Sequence, residues 1–392
     1  MKALNKIRVL DLSTMLSGPF GAQMLGDLGM EVIKIETPEG DGTRFYPPHV
    51  HKGTSMYFMS YNRNKKSIVL NLKTNEAKEI FYDLVKKSDV VWDNFRPGIK
   101  EKLGLDYDTL KKYNPKIISA SITGFGNNNP HGDRPSFDLC VQAISGVLSM
   151  TGEPDRPPSK LGVPMGDLGG GWYCVVGVLA ALLQRELTGE GQEVDISMLD
   201  GLASLHGYEG VYYLYSGKVP ERLGTAHRNN VPYQIFKTKD IYISIVVPSD
   251  KFWEALCKAM DIPSDIQQKY GTIKLRYDYR EEVVALLEKT FSEKTADEWL
   301  ARLDKEGVPC GAVNPMDRAF VEPALLHRDM IVTVDHQGDP IRLLGNPIKM
   351  SGIETKYTCP PELGQDTSDV LKSLLQYNDE NLAELRKKGA IN

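Results

Sequence analysis

The opening of the chain constrains its fold more than any other stretch. Ile7-Arg8-Val9-Leu10-Asp11-Leu12 alternates and then runs apolar, as a buried strand does. Gly18-Pro19 breaks that run and offers proline at a helix start. Phe20 to Leu28 has helical spacing, and Gly29 closes it as a C-terminal glycine does. Glu31-Val32-Ile33-Lys34-Ile35-Glu36 then reads as a second strand. Such a compact strand–helix–strand unit requires parallel strands. The alternation continues with strands at 67–72, 89–93, 116–122 and 193–197, and helices predicted over 74–87 and 170–187. Together these predict an α/β fold, a doubly wound sheet with helices on both faces.

The pattern changes near Ser216. Residues 216–232 are polar, with Pro, Gly and Asn, and read as a linker. Tyr233 to Val247 alternates around a turn at Lys239-Asp240, which predicts a β-hairpin. Helices follow at about 250–260, 280–291 and 296–305. The expected organisation is a large domain beginning over 1–215, the linker, a smaller α+β domain over 233–315, and a segment over 316–392 that returns to the large domain.

The composition excludes several classes of function. The 392 residues suit two or three domains, and 41% hydrophobic with 25% charged is an ordinary globular balance. No long uninterrupted apolar run stands out, so a membrane span is not expected. The N-terminus leads straight into a strand pattern, so a signal peptide is not expected. Cys140, Cys174, Cys257, Cys310 and Cys359 are far apart, odd in number and without CxxC spacing, as expected of reduced thiols in a cytoplasmic protein. A net charge of −5 argues against a nucleic-acid partner. It leaves room for an anionic ligand at a local basic cluster, and Asn62-Arg63-Asn64-Lys65-Lys66 is either such a cluster or a solvated loop. The first turn, Leu16-Ser17-Gly18-Pro19-Phe20-Gly21, lacks the GxGxxG of dinucleotide sites. Neither GxxxxGK[ST] nor GxSxG occurs, and the seven histidines form no HExxH, so no metal or cofactor is expected.

One carboxylate is set apart from the rest. Asp167 lies in Val163-Pro164-Met165-Gly166-Asp167-Leu168-Gly169-Gly170-Gly171-Trp172, before an apolar helical stretch. Glycines let a bulky ligand approach and leave amide N–H groups bare. A helix N-terminus would favour the ionised carboxylate, which suits a nucleophile. The plain alternative is an N-cap, a position that Asp prefers.

Phrases along the whole chain resemble one family in the same order. They are Val9-Leu10-Asp11-Leu12, Gly18-Pro19, Gly26-Asp27-Leu28-Gly29 and Glu31 to Glu36, then Asn64-Lys65-Lys66-Ser67-Ile68 and Asn94-Phe95-Arg96-Pro97-Gly98. Asn114-Pro115-Lys116-Ile117-Ile118, Gly166-Asp167, Gly189-Glu190-Gly191-Gln192 and Glu362 to Thr367 complete the set. The ordered set is similar to the class III CoA-transferases, the CaiB/BaiF family of formyl-CoA and carnitine-CoA transferases. The resemblance implies a Rossmann-like large domain built from both chain ends, a smaller domain between two linkers, and an interlocked homodimer. It implies CoA transfer from an acyl-CoA to a small carboxylic acid, with CoA as substrate rather than cofactor and neither nucleic acid nor membrane as partner.

It also implies roles for particular residues. Asp167 aligns with the nucleophile that carries an aspartyl-CoA thioester, and the Gly169 and Gly170 amides are candidates to stabilise oxyanions. Lys73 and Lys102 match phosphate-contacting positions, Lys102 in place of an arginine. Leu70, Asn94 and Phe95 match adenosine and ribose positions, and Arg96 adds charge beside them. Leu16, Ser17, Phe137 and Asp138 belong to the same CoA-facing set. Leu16 stands where the formyl-CoA enzymes have glutamine and Phe137 where they have tyrosine, so formyl-CoA and oxalate are not the expected substrates. Their glycine-rich active-site loop has no counterpart, and His227 and Arg228 are candidates for the acceptor carboxylate. Two rival readings are an α-methylacyl-CoA racemase and a non-catalytic CoA-binding subunit. A racemase needs a second acid–base group, and Ser136-Phe137-Asp138 offers phenylalanine where that family has histidine.

Overall fold

The structure is a computed structural model that describes residues 3–132 and 134–392. The chain divides into two compact units, one of 1–147, 161–216 and 323–392, the other of 148–160 and 217–322. The second unit thus takes Leu148–Lys160, a stretch the sequence places in the large domain, and extends to Glu322 rather than 315.

The first unit is built on six parallel strands: β1 (Arg8–Asp11), β2 (Glu31–Glu36), β3 (Lys65–Val69), β4 (Val90–Asp93), β5 (Ile118–Thr123) and β6 (Glu193–Ser197). Their order is β3-β2-β1-β4-β5-β6. This is the doubly wound order, with its reversal between β1 and β4. Side chains alternate between the two faces, as the period of a strand requires. Leu10, Ile33, Ile68 and Val91 join α3 (Asn75–Val85) and the C-terminal residues Val370, Leu371 and Leu382 in one core. Val9, Val32, Val90, Trp92 and Ile122 pack on the other side with α1 (Ser17–Asp27) and α6 (Met165–Thr188). Between them lie α2 (Met56–Tyr61), α4 (Ile99–Leu103) and α5 (Asp138–Ser145).

The basic side chains of the cluster at 62–66 are all engaged in ion pairs, with Arg63 and Lys65 buried and Lys66 exposed. The Arg63 guanidinium grips Asp27 at 2.6 Å and Lys65 reaches Asp11 at 2.8 Å, all four side chains buried. Lys66 pairs with Glu31 at 2.6 Å. These ion pairs tie β3 to α1, β1 and β2. Burial lowers the Lys65 pKa to about 8, against the pull of Asp11.

The helix carrying Asp167 begins at Met165, five residues before its predicted start. It is long and apolar enough to cross a membrane by length and composition. One face is nevertheless core, since Cys174, Val175, Val178, Ala181 and Leu182 are buried in the sheet cluster.

The second unit has a three-stranded antiparallel sheet of Tyr233–Lys237, Tyr242–Val246 and Cys310–Ala312. Its core joins Phe236, Ile243 and Ile245 to Trp253, Leu287, Phe291 and Trp299 from helices at Asp250–Ala259, Arg280–Phe291 and Ala296–Lys305.

Candidate active site

Asp167 is the third residue of α6, not its cap. Position 164 is proline, which supplies no side-chain cap. The cap comes instead from Asp138 at the start of α5. Its Oδ1 accepts the Gly166 amide at 2.8 Å and the Asp167 amide at 3.4 Å, while Gln142 Nε2 donates to its Oδ2 at 2.6 Å. Leu168 N donates to Pro164 O at 2.9 Å, so the regular ladder has begun.

This geometry overturns two expectations. The Gly169 and Gly170 amides lie inside the helix, where the ladder takes up amides beyond the first turn, and do not face an oxyanion. The glycines serve close packing. A Cβ on Gly171 would stand 2.8 Å from Ser17 O and 2.9 Å from Phe20 Cδ1, so only glycine lets α1 lie this close. Nor does the helix terminus keep Asp167 acidic. Burial, and then the Asp138 carboxylate, push its pKa from the usual 3.8 up to about 7.

An aromatic wall stands beside Asp167. Phe20 meets Trp172 at 6.1 Å and Tyr61 at 6.2 Å, and Tyr61 meets Tyr57 at 5.8 Å, all edge-on. Tyr46 continues the row, 5.5 Å from Tyr57. Burial raises both the Tyr57 and the Tyr61 phenol, and the Asp167 charge adds to each. Both tyrosines are half-buried on α2, and no hydrogen bond engages either hydroxyl among the described residues. Sequence reasoning missed them. The one available signal was an aromatic run, Tyr57-Phe58-Met59-Ser60-Tyr61, which carries no spacing specific to a site.

Of the expected CoA residues, Leu70, Asn94 and Phe95 follow the carboxyl ends of β3 and β4. Asn94 follows β4 and spans the reversal: Thr14 N donates to its Oδ1 at 2.9 Å, and its Nδ2 donates to Thr14 O at 2.8 Å and to Ser17 Oγ at 3.3 Å. The loop it fixes is strained, with Met15 at φ +69° and its amide 3.5 Å from Asp41 Oδ1. Beside it lies a cleft of about 250 Å³ lined by Leu12, Thr14, Leu70, Lys73, Phe95 and Leu103 among others. Ligands of open α/β sheets bind at such a crevice. Lys73 and Lys102 are exposed near its rim residues Leu72 and Leu103. Arg96 lines an adjoining cleft with Pro97, Gly98 and Lys100. Leu16 and Ser17 are buried where α1 begins, and Phe137 is 60% exposed just before Asp138.

His227 and Arg228 belong to the second unit and are engaged in its loops. His227 Nδ1 accepts the Asn229 and Asn230 amides at 3.0 and 3.1 Å, and its ring stacks on Tyr233 at 4.9 Å. Arg228 donates to Glu221 O at 3.2 Å and lines a cleft of about 440 Å³ with Tyr277 and Arg280. No group of three or more His, Cys, Asp or Glu able to hold a metal occurs among the described residues.

The profile of CoA-transferase family III matches residues 4–367. This chain belongs to that family. The transferase is 36% identical to the human succinyl-CoA:glutarate CoA-transferase over all of its own length and 90% of the relative's. It is 40% identical to the succinyl-CoA:mesaconate CoA-transferase of Haloarcula marismortui, covering 90% of this chain and 91% of that one. Among solved structures it resembles a CaiB/BaiF family protein from Brucella suis, with a TM-score of 0.85, 36% identity and coverage of 95% and 99%. The transferase is accordingly an enzyme of CoA transfer, with a family fold around the parallel sheet.

Proposed function

We propose that this CoA-transferase moves CoA from an acyl-CoA donor to a small carboxylic acid through covalent intermediates on Asp167. The observation that carries this reading is a half-buried carboxylate in the first turn of a helix, close enough to the tyrosines of α2 for its charge to act on both, in a unit whose sheet has an open crevice at its reversal. The carboxylate attacks the thioester carbonyl and forms a mixed anhydride, releasing CoA thiolate. The thiolate returns to the aspartyl carbonyl, giving an aspartyl-CoA thioester and the free donor acid. The acceptor carboxylate attacks that thioester, forming a second mixed anhydride and releasing thiolate, which then takes the acyl group. Every thioester broken is re-formed, so the free energy of the donor is kept. The aromatic wall limits the approach of water to the anhydrides.

Adenosine occupies the cleft at Leu70 and Phe95, with Lys73, Lys102 and Arg96 meeting the phosphates. Lys73→Ala then raises KM for acyl-CoA and leaves kcat near its original value, the signature of uniform binding. The relatives' substrates point to a succinyl-CoA-type donor and a small dicarboxylate acceptor. A racemase is disfavoured by Phe137, which offers no proton on the second face. The active form is a homodimer, supported by exposed apolar side chains on α6 (Val176, Leu183, Leu187) and on the helix Gly207–Ser216 (Val211, Leu214, Tyr215). The deciding experiment incubates the enzyme with succinyl-CoA, quenches it and maps the peptides by mass spectrometry. A CoA or hydroxylamine adduct at Asp167 is expected, and an unmodified Asp167 in a protein that turns over would remove it from the mechanism.

A further inference from the structure

We propose that His51 and His336 form a one-proton clasp that fixes the tyrosine wall of α2 beside Asp167 and opens when a further proton is added. The bearing of the clasp on catalysis rests on Asp167 being the reacting group; the clasp itself does not. The two imidazoles face each other Nδ1 to Nδ1 at 2.8 Å. Their outer nitrogens each meet a carboxylate, His51 Nε2 to Asp339 Oδ2 at 3.0 Å and His336 Nε2 to Glu362 Oε1 at 2.9 Å. His336 is 3% exposed.

Proton counting follows from the chemistry of the groups. An ionised carboxylate only accepts, so each Nε2 must carry a proton. One further proton lies between the two Nδ1 atoms. The four ring nitrogens therefore hold three protons, and the pair shares one positive charge. A fourth proton sets two N–H groups head to head, and the central bond is lost. The surrounding charges suit a single cation. Lys52 shares Asp339 at 2.9 Å, Gln337 Nε2 donates to Glu362 at 2.9 Å, and Thr54 Oγ1 reaches Glu362 at 3.4 Å. Arg44 also acts on Glu362, and burial, with Glu362 and then Asp335 adding to it, pushes the nearby Cys359 thiol up to about 11.

The clasp joins two elements on which α2 rests. His51 lies in the ribbon Val50–His51 and Thr54–Ser55 that leads directly into α2, and Ser55 Oγ caps that helix by accepting Tyr57 N at 3.1 Å. His336 ends the strand Ile331–His336, which pairs with Asp339–Leu344. Met59 of α2 is fully buried against Val332, Val334 and Leu343 of this hairpin, with Met56 packed beside it. The opposite side of α2 bears Tyr57 and Tyr61. His51 and His336 are thus positioning residues: they hold ribbon and hairpin together, and α2 cannot shift while both stay in register.

The test is hydrogen exchange on the full-length enzyme at pH 7.5 and 5.5, corrected for intrinsic rates, with His51→Gln alongside. In the original enzyme, protection over 50–61 and 331–344 should fall about tenfold or more at the lower pH while α3 is unchanged. In His51→Gln, which cannot make the shared-proton bond, protection should already be low at pH 7.5 and show no such step. Equal protection of the original enzyme at both values, or the same step in the variant, overturns the clasp. The kcat profile reads its effect on the site. The original enzyme should lose kcat below pH 6 more steeply than His51→Gln, and identical slopes overturn the link to α2. Exchange needs no substrate, so failure there leaves Asp167 untouched. An original enzyme that turns over without an aspartyl adduct overturns Asp167 and leaves the exchange result standing.

Discussion

At Asp167, burial sets the pH at which the proposed nucleophile is ionised. A carboxylate must be ionised to attack, and burial with Asp138 beside it holds the Asp167 pKa at about 7. The expected outcome is a kcat/KM that rises with pH through about 7 and then levels, measured with a donor whose own charge is constant over the range. The same shift affects stability, in a fixed direction. The unfolded chain releases this proton near the usual 3.8 and the folded chain near 7, so between them the unfolded state binds fewer protons and stability falls as pH rises. Asp167→Asn removes that loss. The variant should be inactive yet more stable than the original at pH 8, by about 1–2 kcal/mol after allowing for solvent screening, and equal to it near pH 3. Chemical denaturation at the two pH values measures the gap. The candidate stands out by its glycine-rich phrase, but its pKa does not, because the second carboxylate lies 29 residues earlier, at the start of another helix.

At the scale of elements, α6 depends on two features outside its own sequence. One is the Asp138 cap, and Asp138→Ala should cost about 1 kcal/mol of stability. It should also move the rise in the activity profile to lower pH, because the charge that opposes ionisation of Asp167 is gone. A profile that stays in place would deny Asp138 that influence. The other is close contact with α1. Gly171→Ala must displace Ser17 O or the Phe20 ring, and overpacking of this kind costs about 1–3 kcal/mol. Because Phe20 supports Tyr61, kcat should fall along with the melting temperature. The start of α6 was misread because its glycines are poor helix formers. Their presence reflects tertiary approach, which overrides propensity here. Strand β6 was legible to the residue, since its alternation is undisturbed.

Across the whole molecule, the exposed apolar faces of α6 and of Gly207–Ser216 set the expected assembly. Light scattering should give twice the 43.7 kDa chain mass, and Leu183→Glu with Leu214→Glu should yield monomers with little activity. A fully active monomer would remove the dimer from the reading. Strand order was partly legible. Alternating strands and helices imply a parallel sheet, but the position of the reversal between β1 and β4 comes from pairing alone. The basic cluster at 62–66 shows the limit most clearly. As sequence it is five polar side chains of a kind found on surfaces. In the fold Arg63 and Lys65 are buried against Asp27 and Asp11, partners 36 and 54 residues away.

The sequence by itself determined the layered α/β architecture and the family, and singled out one candidate carboxylate, because strand and helix periodicity and an ordered set of phrases are local properties. Tertiary structure alone decided what surrounds that carboxylate, the cap from Asp138, the tyrosines of α2 and the use of the glycine amides, and it alone paired two histidines 285 residues apart behind α2. Those depend on which distant segments the packed sheet and helices bring within hydrogen-bond reach, and no local pattern encodes that distance.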